Sequence, residues 1–307
     1  MSVIRVVFGS ALAVLEHPRW LVISLAGFLV RGGVLLLLVA IVQLPTTAAI
    51  ANIFGPTLVG FVFGGVSEGF LVLVGSAVGV LAAWLILGGL AGAIVDLGLI
   101  RSAASSEDLD GIFEPGSSRP WAATVARLLA HLPTAAVVAV GASPLVDATY
   151  QELIHPGDPT ISVPVRVIMR VPLVVGGLVI AWLLGETVGG LAARHLAWGA
   201  SLRRALLRAV WSLIQPVGLL VLVVTTSAVV GAAALGWVAL ALAYELMRLV
   251  VRQGQPAPVL VVGFVLLSMA WFGAIWILSL ATAWRSTAWT YAVARHLRPR
   301  TIAPPGP

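Results

Sequence analysis

The chain has no cysteine, no lysine and little charge of either sign. Without cysteine there is no disulfide, no thiolate metal ligand and no cysteine nucleophile, and the redox compartment stays open. Charged residues make up 10% of the chain, against roughly 25% in a soluble domain, so a water-facing surface could not be covered. Catalytic signatures are also lacking. There is no His-Glu-x-x-His, no paired Asp-x-x-Asp and no phosphate-cradling glycine loop ending in lysine. "GSAVG" (75–79) holds a serine among glycines but inside an apolar run, without the nucleophile-elbow spacing. His155 and Asp158 in "HPGDP" have no ligand cluster around them. Glu107, Asp108 and Asp110 miss the spacing of a calcium loop. Neither a catalytic residue, nor a metal, nor a cofactor is therefore assigned.

What is present is hydrocarbon. Hydrophobic residues are 60% of the chain and the mean hydropathy is +1.07. A helix needs about 20 apolar residues to cross a bilayer. Six runs meet that length: 20–44, 70–98, 124–146, 165–187, 211–235 and 257–283. The first is longer than a signal-peptide core and is read as a retained span. The fold expected is all-α, a polytopic membrane bundle of three hairpins with interfacial amphipathic helices. One transmembrane domain covers 1–298, followed by a disordered, proline-rich tail over 299–307.

The connections alternate in charge. Arg5 and Arg19, then Arg101, Arg119 and Arg127, then Arg194, Arg203, Arg204 and Arg208, then Arg285, Arg295, Arg298 and Arg300 fall on one side. The other side carries only Arg166, Arg170, Arg248 and Arg252. Basic residues are retained in the cytoplasm, which places both termini there, in a cell membrane. Splitting 211–252 into two spans would put the C-terminal arginines outside. The stretch 235–254 is accordingly expected as a helix lying on the outer interface. The all-arginine basic set and the Ala, Gly, Val, Leu and Pro load point to a GC-rich bacterial genome. The net charge of +6 is not gathered on a soluble face, so nucleic acid is not an expected partner.

A weak repeat supports three hairpins. Arg19–Trp20, Arg119–Trp121 and Arg208 with Trp211 open the odd spans, and Gly32–Gly33, Pro133 and Pro216 interrupt them. The even spans carry Trp84 with Gly88 and Gly92, Trp182 with Gly185 and Gly189, and Trp276 with Ser279 and Ala283. Small residues four apart let backbones approach in lipid. Such seams serve one chain or a homo-oligomer equally, and a protein partner is also open. "SLRRALLRAVW" (201–211) is a basic amphipathic helix, with Arg203, Arg204 and Arg208 suited to anionic lipid headgroups on the cytoplasmic side.

Two stretches, "ALAVLEHPRWLVISLAGFL" (11–29) and "ETVGGLAARHLAWGASLRRALLRAVWSLIQPVGLLVL" (186–222), together resemble bacterial six-span membrane proteins of uncharacterised function. These include the membrane domain attached to some glycerophosphodiester phosphodiesterases. The resemblance covers about a fifth of the chain. It implies a membrane module without catalytic residues. The chain has no room for a soluble phosphodiesterase barrel, so that activity is not carried over.

Arg31 stands alone in "GFLVRGGVLLLLVAIVQL" (27–44), near mid-bilayer, where a charge costs about 2.5–3.5 kcal/mol on insertion scales. A partner is therefore expected, with Glu186 preferred over Asp96. The pair either fixes helix register or forms an ion or substrate site. His131 with Pro133, and Gln215 with Pro216, are candidate kinks that could border a cavity. Thr225, Thr226 and Ser227 are expected to bond their own helix backbone. These features favour a non-enzymatic accessory or scaffold membrane module. A small transporter or channel using Arg31 is the alternative, and an intramembrane lipid-modifying enzyme the third reading.

Overall fold

The structure is a computed structural model describing residues 3–30, 68–106, 119–155, 157 and 163–297, and among these the regular structure is helical throughout. The helices are α1 (Val3–Glu16), α2 (Pro18–Phe28), α3 (Glu68–Ser106), α4 (Pro120–Ala130) and α5 (Leu132–Ile154), then α6 (Val163–Arg170), α7 (Pro172–Ala197), α8 (Leu202–Ile214), α9 (Pro216–Arg252) and α10 (Ala257–Leu297). Five stretches are long and apolar enough to cross a membrane: Val78–Ser105, Pro120–Glu152, Pro172–Ala197, Leu219–Arg252 and Ala257–Ala294. The pair α1–α2, bent by 98°, makes a sixth if counted as one span. The chain is a multi-pass helical membrane protein.

Its contacts fall into two compact units. The first comprises 1–41, 90–127 and 187–307, the second 42–89 and 128–186. In the first unit, α9 and α10 form a long antiparallel hairpin, against which α1 packs, with α2 lying on α10 and α8 on α9. Its buried apolar cluster gathers Trp20, Leu97, Ile100, Leu191, Leu196, Ala205, Ala209, Val221, Trp289 and Val293. A second cluster, with Leu240 and Leu278, lies further along the hairpin. Ser279 donates to the Leu21 carbonyl at 2.6 Å, so this member of the predicted small-residue seam joins α10 to α2. In the second unit α5 packs on α6. Val140 and Leu173 stay 80% and 89% exposed, a surface that lipid rather than water can solvate.

Several boundaries differ from those read in the sequence. The stretch 235–254 is not a separate interfacial helix, because α9 runs unbroken from Pro216 to Arg252. Nothing in it breaks the backbone ladder, and Leu240 is fully buried within the hairpin. The helix stops at Gly254, whose φ of +61° suits a residue without Cβ. Gln255 N–H reaches the Val250 carbonyl at 3.3 Å and Gly254 N–H the Val251 carbonyl at 3.2 Å, which satisfies the helix end. The span expected over 165–187 is likewise shifted: a break at Val171, just before Pro172, separates α6 from α7. α7 then continues through 188–197, which had been taken as part of a basic connection. It ends at Gly199, φ +79°, with the same capping pattern.

Pro216 does not kink a span. It occupies the first turn of α9 with Gln215 as N-cap, and Pro133 sits in the first turn of α5 with His131 as N-cap. The first helical turn has unsatisfied N–H groups in any case, so proline is accommodated there. The proline inside a described helix is Pro144 of α5.

Candidate functional site

The predicted site residues are placed in different settings. Arg31 lies outside the described residues, as does the tail 299–307. Glu186, on α7, lies in the second unit with His131, whose Nε2 is 3.5 Å from Glu186 Oε1. That is longer than a good hydrogen bond. His131 Nδ1 is 3.5 Å from Thr134 Oγ1, so the ring stands between a carboxylate and a hydroxyl. The imidazole reaches this position because α4 ends at Ala130 and α5 begins at Leu132, leaving His131 at the junction. Gly185 provides the space, since a Cβ there would run into the His131 ring. The pair is partly exposed, 27% and 18% for the two side chains.

Asp96, on α3, lies in the first unit and accepts a hydrogen bond from Arg127 Nη2, on α4. Arg203, Arg204 and Arg208 are exposed on α8. A small cavity of about 20 Å³ is lined by Leu191, Ser212, Val221, Leu222, Trp289 and neighbours on α10. Neither His131, Pro133, Gln215 nor Pro216 lines it. Among the described residues no group of three or more His, Asp and Glu could hold a metal ion.

Two clusters were not singled out from the sequence. The first centres on Arg194, only 3% exposed, in the stretch of α7 that had been assigned to a loop. Its Nη1 donates to the Gly190 carbonyl at 2.6 Å, its Nη2 to the Ser286 carbonyl at 2.7 Å and Ser286 Oγ at 2.8 Å, and its Nε to Thr290 Oγ1 at 3.3 Å. The guanidinium carbon lies 5.3 Å from the Trp289 ring centroid, and that of Arg285 lies 5.2 Å from the same ring. Trp289 Nε1 in turn donates to Thr225 Oγ1 at 2.9 Å. Thr225 also donates to the Val221 carbonyl at 2.7 Å, as expected from the sequence, but it links α9 to α10 as well. A buried guanidinium is tolerable only when its donors are occupied, and here carbonyls, hydroxyls and an aromatic face do so.

The second cluster belongs to the second unit. Arg166 Nε donates to Glu152 Oε2 at 2.7 Å and Arg170 Nε to Glu152 Oε1 at 2.5 Å. One carboxylate thereby fastens the end of α5 to α6. Gly157 N–H adds a bond at 3.3 Å to the same carboxylate. Helical spacing explains the two arginines: at i and i+4 on α6 they share a face. That spacing was readable; its carboxylate partner, fourteen residues upstream of Arg166, was not.

No family model matches the chain, and no curated protein and no solved structure matches it.

Proposed function

We propose that the chain is a non-enzymatic membrane module, an accessory or scaffold component of a bacterial cell membrane, with both termini in the cytoplasm. The observation that supports it is how the buried and half-buried ionic groups are engaged. Arg194 is bound to main-chain carbonyls and hydroxyls of its own bundle, Glu152 to two arginines, and Asp96 to Arg127. Groups engaged in this way fix helix register, the role that structural ion pairs serve in a bundle. The likeness of 11–29 and 186–222 to membrane domains that accompany soluble enzymes fits the same reading. The test is reconstitution of the purified protein in proteoliposomes, with flux of ions and small metabolites recorded across a panel. Background flux is expected, and specific, saturable flux would replace this reading with the alternative below.

The alternative is a small transporter or channel using Arg31. The contact between His131 and Glu186 at a helix junction favours it, because a titratable pair beside a break in the backbone is where a membrane protein can pass a proton. In that case His131→Ala or Arg31→Ala abolishes flux while the protein still inserts. An unchanged thermal midpoint in detergent would then separate lost transport from lost folding.

A further inference from the structure

We propose that α8 is a docking surface for anionic phospholipid, with the phosphates taken by Arg203, Arg204 and Arg208 and the acyl region by Leu207, Trp211 and Ile214. The inference rests on the reading of the chain as a membrane module, and three observations carry it.

The first is the helix's division into faces. Ala205 and Ala209 are fully buried, part of the apolar cluster of the first unit. The opposite face exposes Leu207 at 61%, Trp211 at 63% and Ile214 at 66%. These recur at i, i+4 and i+7, one stripe on the helix. Arg203, Arg204 and Arg208 are exposed too, and the helix sequence "LRRALLRAVWSLI" has no carboxylate to neutralise them. An exposed apolar stripe flanked by long cationic side chains matches the boundary between acyl chains and headgroups, since arginine stems lie along apolar surface while the charge reaches phosphate.

The second observation is attachment. Gln215 alone separates α8 from α9, which carries the candidate span from Leu219. At 1.5 Å per residue α8 is only about 20 Å long, so it cannot leave the neighbourhood of the membrane surface. Arg203 and Arg204 lie in its first turn, away from the span, Arg208 at its middle, and Trp211 and Ile214 at the end nearest the span. That order follows the gradient from water to oil.

The third observation is a second element of the same kind in the same unit. α1 meets α2 at a bend of 98° at His17, so the two helices cannot both run along the membrane normal. α1 buries Val6, Ser10 and Val14, packs on α10, and exposes Phe8, Leu12 and Leu15, again at i, i+4 and i+7. A soluble partner protein would find two such stripes already tied to the membrane plane. A leaflet fits them, and negative headgroups complement the arginines.

The test uses the full chain reconstituted in nanodiscs of phosphatidylcholine with 30% phosphatidylglycerol or with none, roughly the load at which surface charge matters. Lipids retained by the extracted protein are counted by native mass spectrometry. Wild type is expected to retain phosphatidylglycerol over phosphatidylcholine by roughly tenfold or more, a preference weakened by 0.5 M salt, on the order expected for three surface arginines. The R203Q/R204Q/R208Q variant is expected to lose it, whereas R101Q/R119Q, which removes exposed charge elsewhere, is expected to keep it. Equal retention in the triple variant, or equal loss in the control, overturns the proposal. Because the chain has no cysteine, Leu207→Cys gives a unique label site that needs no charge change. A fluorophore there should be quenched by doxyl-labelled acyl chains and shielded from aqueous iodide. Quenching by iodide instead overturns the proposal. Resistance to alkaline carbonate extraction from the membranes of the expressing cells reports membrane insertion separately, so failure of lipid docking is distinguishable from failure of the membrane reading.

Discussion

At the scale of single residues, the best-supported interactions are those around Trp289. The ring is 3% exposed, takes a guanidinium within 5.3 Å and bonds Thr225 through its indole N–H. Gly190 makes this possible, since a Cβ there would stand 2.7 Å from Trp289 Cζ3. Gly190→Ala should therefore displace the ring and lower stability by about 1–3 kcal/mol, an overpacking cost readable as a reduced thermal midpoint in detergent. Arg194→Ala removes the donors of the Gly190 and Ser286 carbonyls and should cost about 2–3 kcal/mol in the same assay. Arg194→Lys should not restore stability, because one ammonium cannot reproduce a planar fork bonding several acceptors. None of this was legible beforehand. Gly190 and Arg194 stand four apart on α7, but nothing local tells that Ser286 and Trp289, nearly a hundred residues on, pack against them.

At the scale of elements, helix ends are set by local chemistry and helix continuity by its absence. Pro120, Pro172 and Pro216 open α4, α7 and α9, and Gly199 and Gly254 close α7 and α9 through positive φ. These signals stand in the sequence, yet the reading of 188–210 and 235–254 gave more weight to arginines than to glycines. Charge says where a helix should meet water; it does not end the helix. The continuity of α9 is testable with proline. Ala239→Pro, at an exposed position, should cost about 3 kcal/mol or more by removing a ladder bond inside a single long helix, and should reduce accumulation in the membrane. Ala239→Leu should leave accumulation unchanged.

At the scale of the whole molecule, the two helices of the long hairpin exceed the bilayer. α9 and α10, with 37 and 41 residues, are about 55 and 60 Å long, against a hydrocarbon thickness of about 30 Å. Their excess length has a use at one end. There the last turns of α10 join α7, α8 and α1 in the main buried cluster, built from segments that the sequence presents as basic connections. Small alanines dominate that cluster, so close helix approach, rather than bulk, holds it. The orientation we propose makes a direct prediction. Single cysteines at 203 and 298 should be labelled by impermeant maleimide only after the membrane is opened, and a cysteine at 254 should be labelled in intact cells. Labelling of 203 and 298 from outside would reverse or abolish the topology.

Hydropathy along the chain was enough to show a helical protein that lives in lipid, because six runs of hydrocarbon and so little charge admit no other solvent. It also carried the glycine and proline signals at the helix ends and, at Ser279, one small-residue contact between helices, since turn chemistry depends on neighbours only a few positions away. Which charges are buried, and with whom, emerged only from the packing of the helices. His131 faces Glu186, Arg127 holds Asp96, and Arg194 is enclosed by α10, because a long side chain chooses its partner by distance in space, which hydropathy along the chain does not encode.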